Sequence, residues 1–226
     1  MIGAKRMTGA GRRLVSASAF VFAMVLAAAS GSAQEATPVP AAAPEKASWE
    51  FTANLWGYFP PDDRHYAQPT VTADRGALHL EARYNYEGFK TGSAWIGWNF
   101  EAGEKVKLEA TLLAGGIFGN THGAAPGYLM TLSSGRFELY SEGEYVFDTD
   151  DSDDNFFYNW AQLGYSATDW LKVGLASQRT RAYHTGLAVQ RGVFAGFTWN
   201  KLSLNVFVFN LGWETPTVVS SISFAF

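Results

Sequence analysis

The chain has 226 residues, no cysteine, and 21 Asp and Glu against 17 Lys and Arg. The lack of cysteine excludes disulfides, thiol chemistry, cysteine-bound metals and a lipid anchor on an N-terminal cysteine. The acidic balance argues against a nucleic-acid partner, because a phosphate backbone requires a basic surface.

Residues 1–33 have the pattern of a secretory signal peptide. Basic residues are followed by an apolar stretch from Leu14 to about Ala29, which is shorter than the roughly 20 residues that a spanning helix needs. Small residues then precede a cleavage point after Ala33. The basic residues are Lys5, Arg6, Arg12 and Arg13. Cleavage after Ala33 leaves 13 basic against 21 acidic residues, a net charge of −8, in an exported protein.

Residues 34–48 are rich in Ala, Pro and Glu, with prolines at Pro38, Pro40 and Pro44. This composition predicts a flexible or extended linker. We expect it to lie on the periplasmic side.

From Trp49 onward, apolar and polar residues alternate in a series of segments, which predicts strands. The clearest segment is Ala77–Glu87. Its apolar positions are Leu78, Leu80, Ala82, Tyr84 and Tyr86, and its polar positions are His79, Glu81, Arg83, Asn85 and Glu87. Beyond the signal segment no apolar run approaches the length of a spanning helix, so any membrane span must consist of strands.

The distribution of charge distinguishes two all-β folds. The apolar faces carry almost no charge, whereas charged residues occupy the opposite faces of most segments. This favours a closed antiparallel transmembrane barrel over residues 49–226, with apolar residues facing lipid and polar residues facing the lumen. A soluble β-sandwich, in which the apolar faces meet in a core, is the alternative fold.

The connections between segments predict the strand count. Short turns alternate with longer connections, as in barrels with short periplasmic turns and longer outer loops. The longer connections are 60–67, 87–92, 118–126, 148–155, 181–189 and 211–216. An even number of strands requires Gln68–Ala73 to be a short strand, which gives twelve, and ten is the alternative.

The segment Pro216–Phe226 ends the chain on an aromatic residue, with Val218, Ile222, Phe224 and Phe226 on one face. It resembles the C-terminal strand of Gram-negative outer-membrane barrels of the porin-like class. The resemblance implies a location in the outer membrane. It also implies that Ile222, Phe224 and Phe226 form the signal that the barrel-assembly machinery engages.

A barrel of twelve strands is intermediate between a filled lumen and an open channel, so its inward side chains decide whether it conducts. We expect the lumen to be lined by His79, Glu81, Arg83, Asn85, Lys107, Glu109, Glu138, Tyr140, Glu142, Glu144, Trp160, Gln162 and Lys172. The ladder of Glu138, Glu142 and Glu144 predicts an acidic wall in a narrow passive channel for small cations or polar solutes. Alternatively, these charges pair across the lumen and close it, which would leave a structural barrel that binds outer-membrane lipid or a partner.

Two charged clusters are expected at the outer mouth. Arg179, Arg181 and Arg191 form a basic cluster suited to lipopolysaccharide phosphates. The acidic loop contains Asp148, Asp150, Asp151, Asp153 and Asp154. It partly matches a calcium-binding loop but lacks the Gly and Glu that such a loop requires, so it is a candidate cation-binding loop or simply a solvated one.

A lipid-modifying hydrolase is the remaining alternative function. His122 and His184 fall in outer loops beside Thr121 and Thr185, but neither forms a recognisable Ser–His arrangement. We therefore expect no enzyme activity, no catalytic residue, no metal site and no cofactor. The expected partners of this monomer are outer-membrane lipid, lipopolysaccharide and the assembly machinery.

Overall fold

A computed structural model describes residues 47–61, 63–179, 189–212 and 214–226. Over this part of the chain, twelve antiparallel strands form one closed barrel in which each strand pairs with its sequence neighbours and the first pairs with the last. The strands are β1 (Glu50–Phe59), β2 (Tyr66–Arg75), β3 (Leu78–Tyr84), β4 (Thr91–Ala102), β5 (Lys107–Gly119), β6 (Gly123–Ser134), β7 (Phe137–Asp148), β8 (Phe156–Ser166), β9 (Leu171–Arg179), β10 (Val189–Trp199), β11 (Leu202–Phe209) and β12 (Thr217–Ala225). The prediction of twelve strands is confirmed, and the sandwich and the ten-strand barrel are wrong.

The segment Gln68–Ala73, on which the even count depended, lies in a strand. β2 is longer than predicted, because it extends by two residues beyond this segment at each end. Pro69 lies opposite Leu55 of β1 within the paired register. A proline lacks the N–H that a strand interior normally donates, and this weakens the sequence signal of a strand.

The connection predicted over residues 118–126 is much shorter in the structure. β5 continues to Gly119 and β6 begins at Gly123, so Pro126 lies within a strand opposite Ala114. Gly119 has a φ of 127°, and a Cβ at Gly119 or Gly123 would collide with the backbone carbonyl of Lys90 or Phe147, respectively. Glycine at both positions therefore permits a tight turn where the sequence suggested a loop.

The end of the predicted strand Ala77–Glu87 is also different. β3 stops at Tyr84, and Asn85 adopts a φ of 58°. The left-handed backbone at Asn85 turns the chain inward, so Tyr86 packs against buried residues inside the barrel. The assignment of Tyr86 to the outer, apolar face was therefore wrong.

The outer surface of the barrel is covered with large apolar side chains. Ile96, Leu112 and Leu175 are 57%, 59% and 60% exposed, and they belong to a set that covers most strands. A surface of this kind is too apolar and too continuous for contact with water, and it matches the lipid-facing band of a transmembrane barrel. Aromatic residues lie near both ends of the strands, as in interfacial girdles.

No helix in the described part of the chain is long and apolar enough to cross a membrane.

The C-terminal residue closes the barrel. Phe226 and Phe51 exchange two backbone hydrogen bonds of 2.9 and 3.1 Å, and their rings stack with centroids 5.6 Å apart. Ile222, Phe224 and Phe226 all expose their side chains on the outer surface. Recognition of these residues by assembly machinery stays a prediction. The first and last strands begin and end at the same edge as the short turns, which is the periplasmic end.

We predict that Leu112→Arg, in the middle of β5 on the lipid-facing surface, lowers the free energy of unfolding in lipid vesicles by about 2–4 kcal/mol. Val106→Arg is the control, because Val106 is similarly exposed but precedes β5 at the periplasmic end. It should cost at most about 1 kcal/mol. Urea unfolding followed by tryptophan fluorescence measures both, and equal costs would contradict the lipid-facing assignment of Leu112.

The lumen as candidate functional site

The structure places most of the predicted pore-lining residues on the inward faces of the strands. The inward set comprises His79, Glu81, Arg83, Lys107, Glu109, Glu138, Tyr140, Glu142, Glu144, Trp160, Gln162 and Lys172. Asn85 does not belong to it, because its side chain holds the β3–β4 turn: it donates to the Ala67 carbonyl and accepts from the Lys90 amide.

Arg83 is the centre of a buried charge cluster. Its guanidinium donates two hydrogen bonds to Glu81, of 2.8 and 2.9 Å. It also reaches across the lumen from β3 to β7 and donates to Glu144 at 2.8 Å. A further carboxylate, that of Glu87, lies 3.8 Å from the same guanidinium. One cation thus lies in contact with three buried acidic side chains.

Two aromatic rings enclose the guanidinium. The Arg83 Cζ atom lies 4.4 Å from the ring centroid of Tyr86 and 4.4 Å from that of Trp95. These contacts are cation–π interactions, which gain strength when water is excluded. Arg83 is therefore held by charge and by packing together.

The polar network continues from Arg83 toward the periplasmic end. His79 bonds Asp74 at 2.8 Å and approaches Glu81 at 3.4 Å. Asn99 donates to the same Asp74 oxygen at 2.8 Å, and Thr111 donates to Asn99 at 2.6 Å. Polar side chains on four adjacent strands, β2 to β5, are thus joined in one network.

Glu142 has no basic partner among the described residues and is stabilised by phenol groups. It accepts hydrogen bonds from the phenols of Tyr86 and Tyr140 at 2.5 Å and from Tyr158 at 3.2 Å. Hydrogen bonds from several donors can stabilise a half-buried carboxylate in place of a cation. Tyr86, which sequence analysis placed on lipid, is therefore part of the lumen.

A cluster of aromatic residues packs inside the barrel next to the Arg83 cluster. Trp56 of β1 contacts Trp160 of β8 at 5.3 Å between ring centroids, although these strands lie nearly opposite each other. Phe207 stacks against Trp56 and meets Trp160 edge-on. Trp160 and Phe207 are 1% and 0% exposed, so they form a packed core inside the barrel.

These contacts divide the lumen. We use the term partition for Arg83, Glu144, Trp56, Trp160 and Phe207 together. A cavity of about 360 Å³ extends between the partition and the periplasmic end. We use the term periplasmic chamber for this cavity. Its lining is rich in hydroxyl and amide groups, such as Thr70, Thr198, Ser203, Asn205, Ser221 and Ser223.

Two lysines on inward faces of the described strands form ion pairs. Lys172 bonds Glu138 at 2.5 Å in the chamber, and Lys107 bonds Glu109 at 2.6 Å near the periplasmic rim. The predicted acidic ladder is therefore divided among different partners: Lys172 for Glu138, tyrosines for Glu142 and Arg83 for Glu144.

The predicted basic cluster does not line the mouth. Arg179 and Arg191 alternate with inward neighbours on β9 and β10 and point to the outer wall, where Arg179 lies over the Phe157 ring at 5.8 Å. Arg181 lies outside the described residues, as does His184.

The acidic loop uses carboxylates to hold its own backbone. Asp148 accepts from the amides of Asp150 and Asp151, and Asp151 accepts from Asp153 ahead of a short 3-10 helix at Ser152–Asp154. The described residues contain no group of three or more side chains suited to a metal ion.

His122 offers little support for the hydrolase alternative. Its ring bonds Asp150 at 3.1 Å, and both side chains are exposed in the outer loops. In the described part of the chain, this hydrogen bond links the His122 ring to the acidic loop rather than to a nucleophile.

We predict that Arg83→Met lowers the free energy of unfolding by about 3–5 kcal/mol, because it leaves the buried carboxylates of Glu81 and Glu144 without their cation. Lys172→Met is the control, since its ion pair is about one-third exposed and should contribute at most about 1 kcal/mol. Arg83→Met combined with Glu144→Met should recover part of the loss. A cost for Arg83→Met no larger than that of the control would contradict its central role.

Glu87 provides a pH-dependent prediction. Burial raises the pKa of Glu87 above its ordinary value of 4.5, although Arg83 acts in the opposite direction. The unfolded chain ionises Glu87 near pH 4.5 while the folded protein retains the proton, so its contribution to stability falls as pH rises above that value. Unfolding free energies measured across this range should fall less steeply for Glu87→Gln than for the wild type. Glu104→Gln, in an exposed turn, should retain the wild-type slope, and an identical slope for Glu87→Gln would refute the assignment.

Comparisons with known proteins give likeness in structure alone. No family model and no curated protein sequence matches the chain. Among solved structures, the KdgM porin matches with a TM-score of 0.56 at 8% identity, over 77% of this chain and 99% of that one. Omp33 of Acinetobacter baumannii matches with a TM-score of 0.45 at 10% identity, over 80% and 99%. OccK5 of Pseudomonas aeruginosa matches with 0.41 at 8% identity, over 79% and 66%. The closed barrel and the likeness to the KdgM porin show that the chain has the fold of a porin-like outer-membrane β-barrel.

Proposed function

We propose that this barrel is a narrow outer-membrane channel that prefers small cations, and that the partition is its gate. The observation that carries the proposal is the periplasmic chamber, which ends against the side chain of Trp56 and the aromatic residues packed on it. Side chains can change rotamer without breaking the barrel. The partition is therefore a barrier that opens and closes while the strand pairing stays intact.

The charge of the lumen supports the cation preference. Glu81, Glu87, Glu138, Glu142 and Glu144 all lie on the lumen side. In the part of the chain that the structure describes, the basic groups in contact with them are Arg83 and Lys172, with His79 beside Glu81. A carboxylate-rich passage lowers the energy of a passing cation and raises that of an anion.

Two buried carboxylate oxygens support the same conclusion. Glu87 Oε2 and Glu144 Oε1 have no hydrogen-bond partner in the described part of the chain. An unpartnered buried acceptor is costly, and a water molecule or a passing cation would satisfy it. Both oxygens belong to groups in contact with Arg83, at the level where the lumen is closed.

A permanently closed barrel is the second candidate function. The pairing of Arg83 and Glu144 across the lumen favours it, because this pair draws β3 and β7 together. Such a barrel would act as a binding platform for outer-membrane lipid or a protein partner.

Planar-bilayer recording distinguishes the two candidates. We predict that the wild type gives a small current, and that Trp56→Ala with Trp160→Ala raises the conductance several-fold by removing the aromatic part of the partition. Trp170→Ala with Trp199→Ala is the control, because both of these side chains lie exposed at the periplasmic end outside the lumen. In the opened variant, Glu142→Gln should shift the reversal potential toward lower cation preference.

If the folded double variant gives no current above that of lipid alone, the channel is ruled out and the closed barrel remains. An unchanged reversal potential in Glu142→Gln would remove this carboxylate from the selectivity mechanism. Heat-modifiable migration on gels establishes that each variant has folded.

A further inference from the structure

We propose that the outer wall of the barrel carries a lipopolysaccharide-binding site on β8, β9 and β10, formed by Arg179 and Arg191 above an apolar groove. This site faces the membrane and is separate from the lumen. It therefore does not depend on whether the barrel conducts.

The groove follows from a row of small side chains in the strand register. Ala161 of β8 lies opposite Ser177 of β9, and Ser177 lies opposite Arg191 of β10. The small side chains leave a depression of about 470 Å³ between larger neighbours. The larger residues around it are Leu139, Leu163, Leu175, Val193 and Leu211. The lining is thus mainly aliphatic, as contact with an acyl chain requires.

The two arginines lie at one end of this groove. Arg191 itself lines the groove beside Ser177, and Arg179 follows Ser177 by two residues on the same strand. Diagonal neighbours of this kind are about 7–8 Å apart in a sheet. Their guanidinium groups are long enough to reach one phosphate together, and neither forms an ion pair with a carboxylate in the described residues.

The position of the arginines along the strands identifies the leaflet. Arg179 is the last residue of β9 and Arg191 the third of β10, at the end opposite the short periplasmic turns. A lipid-facing arginine is strongly destabilising at the bilayer midplane and nearly neutral near the interface. Both residues therefore fit the headgroup level of the outer leaflet.

The chemistry of the site selects the lipid. Arginine binds phosphate through paired hydrogen bonds, and an aliphatic groove binds acyl chains. Lipopolysaccharide combines phosphates with several acyl chains in the outer leaflet of a Gram-negative outer membrane. Phospholipid occupies the inner leaflet, next to the opposite ends of the same strands.

Binding measurements on the refolded full-length barrel in detergent test this site. Native mass spectrometry would follow titration with lipopolysaccharide, with dephosphorylated lipopolysaccharide and with phosphatidylglycerol. We expect Arg179→Gln with Arg191→Gln to bind lipopolysaccharide about tenfold more weakly, as the loss of charge-assisted hydrogen bonds predicts. Lys105→Gln with Lys201→Gln removes the same charge from two exposed periplasmic turns and should bind as the wild type does.

A separate variant tests the role of the groove. Ala161→Leu fills the depression while keeping both arginines, and it should also weaken lipopolysaccharide binding. The proposal fails if the arginine variant binds as tightly as the lysine control. It also fails if dephosphorylated lipopolysaccharide or phosphatidylglycerol binds the wild type as tightly as lipopolysaccharide does. If the double arginine variant does not fold, the single variants Arg179→Gln and Arg191→Gln provide the same comparison.

Discussion

The arrangement of the lumen depends on Arg83. Its guanidinium bonds Glu81 on its own strand and Glu144 across the barrel, and it lies between the rings of Tyr86 and Trp95. Buried carboxylates are costly without a cation, so the positions of these acids depend on a single basic group. Because the partner carboxylates lie on different walls, the same interaction sets the width of the closed lumen.

The inner and outer faces of the barrel are governed by different constraints. Twelve strands enclose more space than simple side-chain packing along the wall would fill. Trp160 and Phe207 occupy that space on one side of the lumen, and the Arg83 cluster occupies it on the other. The outer face only needs apolar side chains that contact lipid. The arginines of β9 and β10 are exceptions to this apolar pattern. The proposed functions of this protein therefore involve two separate surfaces, the lumen and the outer wall.

The alternation of polar and apolar residues was sufficient to predict a barrel of strands. A strand that faces lipid on one side and the lumen on the other has a strict period of two. The need for an even strand count identified the strand at Gln68–Ala73, and alternation placed Phe226 on the outer face of the last strand. It failed where one residue changed the backbone direction, as at Asn85, whose left-handed φ moved Tyr86 into the lumen. It also overlooked Phe207, because the second half of β11 is apolar on both faces. The pairing of Arg83 with Glu144 joins residues 61 positions apart, and only the closed barrel brings them together.

The central claim is that the partition separates the periplasmic chamber from the outer side. The natural chain has no cysteine, so Ser223→Cys introduces a single thiol into the chamber lining. In vesicles with one barrel orientation, a small membrane-impermeant maleimide should label this thiol rapidly from the periplasmic side. From the outer side, labelling should be much slower, because the packed residues around Arg83 and Trp160 block the path. Equal labelling rates from the two sides would contradict the closed partition.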